Sequence, residues 1–171
     1  AEAGFDLYRA ARQAEDQETA AGAAAETKLA LEKCIASRPE DSWAWLQLSS
    51  LLEWEDMIPG ARDLLRNALS LHPNDSSLHK EHARLSRSLG GFEEVVSAYA
   101  HFLAEHPDSP LGGWYYAVDS FELALSGLNA DLDTREQFRA AEEAFTICRT
   151  FEPSYRESCL GYEVMCRAGA G

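Results

Sequence analysis

Apolar side chains recur along this chain at intervals of three and four residues, and proline punctuates the recurrence. From Ser42 onward, Trp45, Leu48, Ser49 and Leu52 share one face of a predicted helix. Ala61, Leu65 and Ala68 share one face of a second, which stops before Pro73. Four prolines stand in similar company: Arg38-Pro39-Glu40-Asp41, His72-Pro73-Asn74-Asp75, His106-Pro107-Asp108-Ser109 and Glu152-Pro153-Ser154. Proline ends a helix because it has no N–H to give and disfavours helical geometry in the residue before it. The Asp or Ser that follows can accept the free amides of the next helix, and Pro110 suits a first helical turn. Pro39, Pro73 and Pro107 are spaced 34 residues apart, twice in succession. A recurring period of that length predicts stacked helix–turn–helix units.

Two units read clearly, over 42–75 and 76–109. The second keeps Ala83, Gly90, Phe92, Tyr99 and Pro107. A further unit over 110–153 carries Ala117, Ala141, Phe145 and Cys148, and its closing proline comes 46 residues after Pro107, so an insertion is expected near 126–137. There the pattern predicts a long helix over 111–126 and a loop over 127–133. Thr134-Arg135-Glu136-Gln137 then reads as a capping box opening the next helix. Ser154-Tyr155-Arg156-Glu157 reads as another box, opening a terminal helix over 154–168. The first unit, over about 1–41, is degenerate: an alanine-rich helix from near Phe5 to Glu18, then Leu29, Leu31, Cys34 and Ile35 on a helix ending at Arg38-Pro39.

The unit from Ser42 resembles the tetratricopeptide repeat: a large residue, Leu, a small residue and another large one, then Ala, a large apolar residue, Ala and Pro. The unit from Ser76 departs at His79, His82 and Phe102, where that family prefers an aromatic residue, Leu and Ala. The resemblance implies an all-α fold, a right-handed α-solenoid of stacked antiparallel helix pairs. About four repeats and a final helix would form one domain over 1–171. Ala61-Arg62, Arg66 and Ala68, with Trp43 or Trp45 followed by Glu53, also resemble the half-a-TPR repeat, which is typical of scaffolds in RNA-processing complexes; the two resemblances stay open here.

In the tetratricopeptide family the first helix of each unit lines a concave groove that holds a segment of another protein. The resemblance therefore implies a partner-binding face made of Trp43, Gln47 and Trp54, then Lys80, Arg84 and Arg87, then Trp114, Tyr115 and Val118. Lys80, Arg84 and Arg87 fall at i, i+4 and i+7, one helical stripe. They read either as a grip on a carboxylate-bearing segment or as a solvated face neutralised by Glu81 and by Glu93 or Glu94. The aromatic residues read either as interface anchors or as packing between units. Family members that read chaperone tails clamp a terminal carboxylate with Lys, Asn and Arg. This chain offers Gln47, Ser77 and Glu81 at three of those places, and its asparagines (Asn67, Asn74, Asn129) lie elsewhere, so no binding to heat-shock chaperone tails is expected.

Composition narrows the picture. Alanine and leucine dominate while valine and isoleucine are scarce, which favours helix. The formal net charge is -14 over 171 residues, which repels phosphate backbones and anionic lipid, so neither direct nucleic-acid binding nor a membrane partner is expected. Cys34, Cys148, Cys159 and Cys166 form no CxxC pair, so no metal site and no cofactor is expected; reduced thiols suit an intracellular, cytoplasmic location. His79 and His82 share one side of a helix, and packing is the favoured reading without a third ligand. The paired acids Glu53/Glu55 and Glu142/Glu143 read as solvated surface. No phosphate loop, GxGxxG or ordered Ser-His-Asp set is visible, so no catalytic residue is assigned and an enzyme is not expected. The chain opens on Ala1-Glu2-Ala3, without methionine, basic start or apolar stretch; no secretory leader is expected in it, and it reads as part of a longer protein or as a processed form.

Overall fold

The structure, a computed structural model, describes residues 2–14, 16–130 and 132–171, with only the backbone described for Glu2, Ala3, Phe5 and Gln17. Among the described residues the chain forms eight α-helices, one 3-10 turn and no strand. The helices are α1 (Glu2–Gln13), α2 (Gln17–Ser37), α3 (Ser42–Trp54), α4 (Ile58–Leu71), α5 (Ser76–Glu105), α6 (Pro110–Asn129), α7 (Arg135–Phe151) and α8 (Arg156–Ala170). They fall into two compact units, Ala1–His72 and Pro73–Gly171. In the first, α1, α2, α3 and α4 pack each on the next; in the second, α5, α6, α7 and α8 do the same. No helix among the described residues is long and apolar enough to cross a membrane.

The proline punctuation works through side-chain caps. Asp41 accepts the amide of Trp43, Asp75 accepts those of Ser77 and Leu78, and Ser109 accepts that of Gly112. Each cap satisfies amides that have no partner in the first helical turn. The proline carbonyls are used as well. In the first unit the indole N–H of Trp45 donates to the Pro39 carbonyl at 3.0 Å. In the second, Nε2 of His79 bonds the Pro73 carbonyl at 2.9 Å. Both contacts span six residues, and the two positions are one repeat period apart. His79, one period after Trp45, thus makes with its imidazole the contact that Trp45 makes with its indole.

Small residues are buried on the packed faces of the helices. Ala61, Ala68, Ala83 and Ala117 are fully buried, as close approach of paired helices requires. At the α5–α6 contact a glycine makes room for a large ring. Phe102 is buried, and Gly112 lies opposite it on α6: a Cβ on Gly112 would stand 2.5 Å from the Phe102 ring.

α5 is a hairpin rather than a rod. Gly90 and Gly91 leave helical geometry, Gly91 with φ 67 and ψ -151, a conformation that a side chain makes costly. The arms, 76–89 and 92–105, fold back so that Tyr99 stacks on His79 at 5.6 Å and donates its hydroxyl to the His79 carbonyl at 3.1 Å.

Several boundaries differ from the sequence pattern. The expected helix from Phe5 to Glu18 is two: α1 ends at Gln13, and Asp16 caps α2 by accepting both the amide and the hydroxyl of Thr19. Leu31 is buried, but Leu29 faces out. α6 continues to Asn129, so the loop after it is shorter than expected. Neither predicted capping box forms. Asp133 takes the Arg135 amide and leaves the Thr134 side chain buried against Gly127. At the next junction Glu152 accepts the Ser154 amide, Pro153–Tyr155 makes the 3-10 turn, and α8 starts only at Arg156.

Candidate functional site

The residues assigned to a partner-binding face divide between the units. α3 of the first unit presents Trp43, Gln47 and Trp54. Trp43 is 40% exposed and Gln47 is half-buried. Trp54 is 38% exposed, stacks on Tyr8 of α1 at 5.7 Å and holds the Arg9 guanidinium 5.9 Å from its ring centre. Tyr8 and Arg9 escaped the sequence reading because alanine-rich α1 gave no register.

The second unit gathers the other six. The first arm of α5 carries Lys80, Arg84 and Arg87; α6 carries Trp114, Tyr115 and Val118. Lys80 is exposed and forms no ion pair among the described residues. Arg84 is exposed too and is bridged to Glu81 at 2.7 Å, as the solvated-face alternative supposed. Tyr115 is half-buried and stacks on Tyr99 at 5.5 Å and His79 at 5.8 Å. Trp114 belongs more to the core than to the surface. It lies against Phe145, Tyr155 and Tyr162, with Val118 beside it on the same cluster.

Arg87 has a different role from the one its spacing suggested. Its Nε donates to Oδ1 of Asp119 at 2.7 Å and its Nη2 to Oδ2 at 2.8 Å. Asp119, on α6, is 0% exposed. This forked pair ties the first arm of α5 to α6 and raises the Arg87 pKa further, chiefly through the bonds to Asp119. Arg87 is therefore a joint between helices, and the cationic stripe on this face reduces to Lys80 and the Glu81-bound Arg84. Asp119 falls on the α6 face of Tyr115 and Tyr116, four and three residues earlier, and a carboxylate buried there needs a partner. Glu163, buried on α8, follows the same rule, taking Arg149 at 2.6 Å from α7.

His79 is a buried titratable group packed behind this face, against the Tyr115 ring. Burial lowers its pKa from the ordinary 6.5, against the opposite pull of the Pro73 carbonyl and Asp75; His106 adds to the lowering. The unfolded chain takes a proton here near the ordinary value, whereas the folded chain takes it only at lower pH. Stability from this residue is complete above about pH 6.5, is lost as the pH falls below it, and levels off beneath the folded pKa. The expected slope is at most about 1.4 kcal/mol per pH unit. Urea unfolding between pH 8 and pH 5, beside a His79→Phe variant, reads it; the same loss in the variant would assign the effect to another group.

The remaining chemistry is quiet. Burial pushes the thiols up, Cys148 to about 12 and Cys166 to about 11, so they are poor nucleophiles near neutral pH. Among the described residues no three His, Cys, Asp or Glu side chains gather as metal ligands. His82, fully enclosed, meets the Tyr99 ring edge-on at 5.4 Å. No family model matches the chain, and no curated protein matches it.

Proposed function

We propose that this chain is a tetratricopeptide-type solenoid scaffold, non-enzymatic and intracellular, that holds a segment of another protein on the first-helix face of its repeats. The observation that carries the reading lies in the second unit. Exposed Lys80 and Arg84 stand on the first arm of α5, and the half-buried ring of Tyr115 on α6 joins that arm through its stack on His79. Exposed basic residues on an arm that packs against an aromatic ring, in a chain of net charge -14, favour a segment that carries acidic residues and an apolar side chain. The repeat period, the caps at Asp41, Asp75 and Ser109, and the matched Trp45 and His79 contacts support the solenoid part of the reading.

The division of labour follows from desolvation. Aromatic surface supplies most of the affinity, while exposed cations speed encounter and fix polarity. With a partner recovered by pulldown from the source cell and mass spectrometry, the double variant Lys80→Glu/Arg84→Glu should bind about tenfold more weakly at low salt. The gap should narrow at high salt, because exposed charges are screened. Equal binding by variant and parent at both salts would place the partner elsewhere.

A further inference from the structure

On the side of α6 opposite Trp114, Tyr115 and Val118, the second unit has a cavity of about 350 Å³. Leu103 and Pro107 form one wall; Ala144, Ile147 and Phe151 of α7 form the other; Glu143 is the charged group at the rim. The volume is at the small end for ligand sites. What surrounds it decides the class of occupant. Ile147 is 45% exposed and Phe151 is 49% exposed, both large and apolar. With Ala140, Glu143 and Ala144 they follow i, i+3, i+4, i+7 and i+11, one stripe about 16 Å long on α7. A small molecule would fill the cavity and leave the stripe wet; a helix lying along α7 would cover both. Glu143 is exposed and forms no ion pair among the described residues. Its charge selects for a cation and against an acidic segment.

We propose that this cleft docks an amphipathic basic helix of a partner protein, one large apolar side chain entering the cavity and a Lys or Arg meeting Glu143. The site is one of association, not covalent chemistry: the Cys148 thiol in its wall donates to the Pro110 carbonyl at 3.5 Å and is held protonated by burial. The cleft uses a different side of α6 from the Lys80 face and prefers the opposite charge, so the two sites stand or fall separately.

The test titrates the methyl-labelled full chain with three helical peptides of roughly 18 residues, five turns. One carries a Trp with Lys a turn away; the second has Ala for that Trp at the same charge; the third has Glu for each Lys. The Trp–Lys peptide should move the Ala144 and Ile147 methyl signals saturably, and bind at least tenfold more tightly than either control. Glu143→Gln should weaken it severalfold and Ile147→Asp by tenfold or more, while Lys80→Glu should bind it as the parent does. Ala140→Lys, at an exposed position of the stripe, reads the same contact should Ile147→Asp fail to fold. Equal binding of the Trp and Ala peptides, shifts confined to Val118 or to Leu160 and Val164 of α8, or a dimer of the chain alone seated on this cleft would each overturn the proposal.

Discussion

Phe145→Ala should destabilise the second unit by about 3–5 kcal/mol, the cost usual for truncating a buried phenylalanine. The ring is completely enclosed. It stacks on Tyr162 of α8 with centroids 4.6 Å apart and planes 9° from parallel, and meets Trp114 of α6 edge-on at 6.0 Å. One side chain on α7 therefore holds a neighbour on each side, and its loss leaves a cavity that three helices would have to close. Part of the cost is transfer of the ring to water; the rest is the void, because interiors are packed too closely to relax fully. Phe151, on the same helix, is half exposed, and Phe151→Ala should fall within about 0.5 kcal/mol of the parent. Urea unfolding followed by tryptophan fluorescence would measure both. Similar losses from the two variants would mean that α7 is turned about its axis relative to the arrangement described.

The second large effect is electrostatic. Arg87→Ala should cost about 3–5 kcal/mol, because it leaves the buried carboxylate of Asp119 without its partner. Forming the pair is a separate matter: desolvating Asp119, beside an Arg87 side chain still 39% exposed, offsets part of their attraction. Arg87→Met with Asp119→Leu should therefore recover most of what Arg87→Ala loses. A double-mutant cycle by urea unfolding, built from these variants and their singles, separates the two quantities. A loss below about 1 kcal/mol for Arg87→Ala would show that water reaches Asp119 and solvates it, contrary to its burial.

The contrast between these two residues shows what the sequence could reveal. Phe145 stood in a local pattern, four residues after Ala141 and three before Cys148, so its burial was readable. The caps were readable for the same reason, since Asp41, Asp75 and Ser109 act on amides two or three residues ahead. The bond from Arg87 to Asp119 was not readable because its partner lies 32 residues away, on a helix whose rotation no local spacing fixes. The break between α1 and α2 was obscured by alanines that give no face to read. The failed box at Thr134 was a competition: Asp133, one residue earlier, is a stronger acceptor for the same turn. For the proposed binding face, spacing placed Lys80 and Arg84 on one stripe. It did not reveal that Trp114 is claimed by Tyr155 and Tyr162, residues beyond the insertion, nor that the apolar stripe of α7 borders a cleft.

The bonds to the proline carbonyls have a consequence for how the protein is made. The Pro73 carbonyl is met by His79 six residues later, and His79 by Tyr99 twenty residues after that. The hairpin at Gly90–Gly91 thus closes on contacts contained within one repeat. Contacts of such short separation cost little loop-closure entropy and form quickly. On a ribosome that adds roughly 5–20 residues per second, the arms of α5 can meet while α7 is still being translated, so that each later helix emerges onto a surface already built.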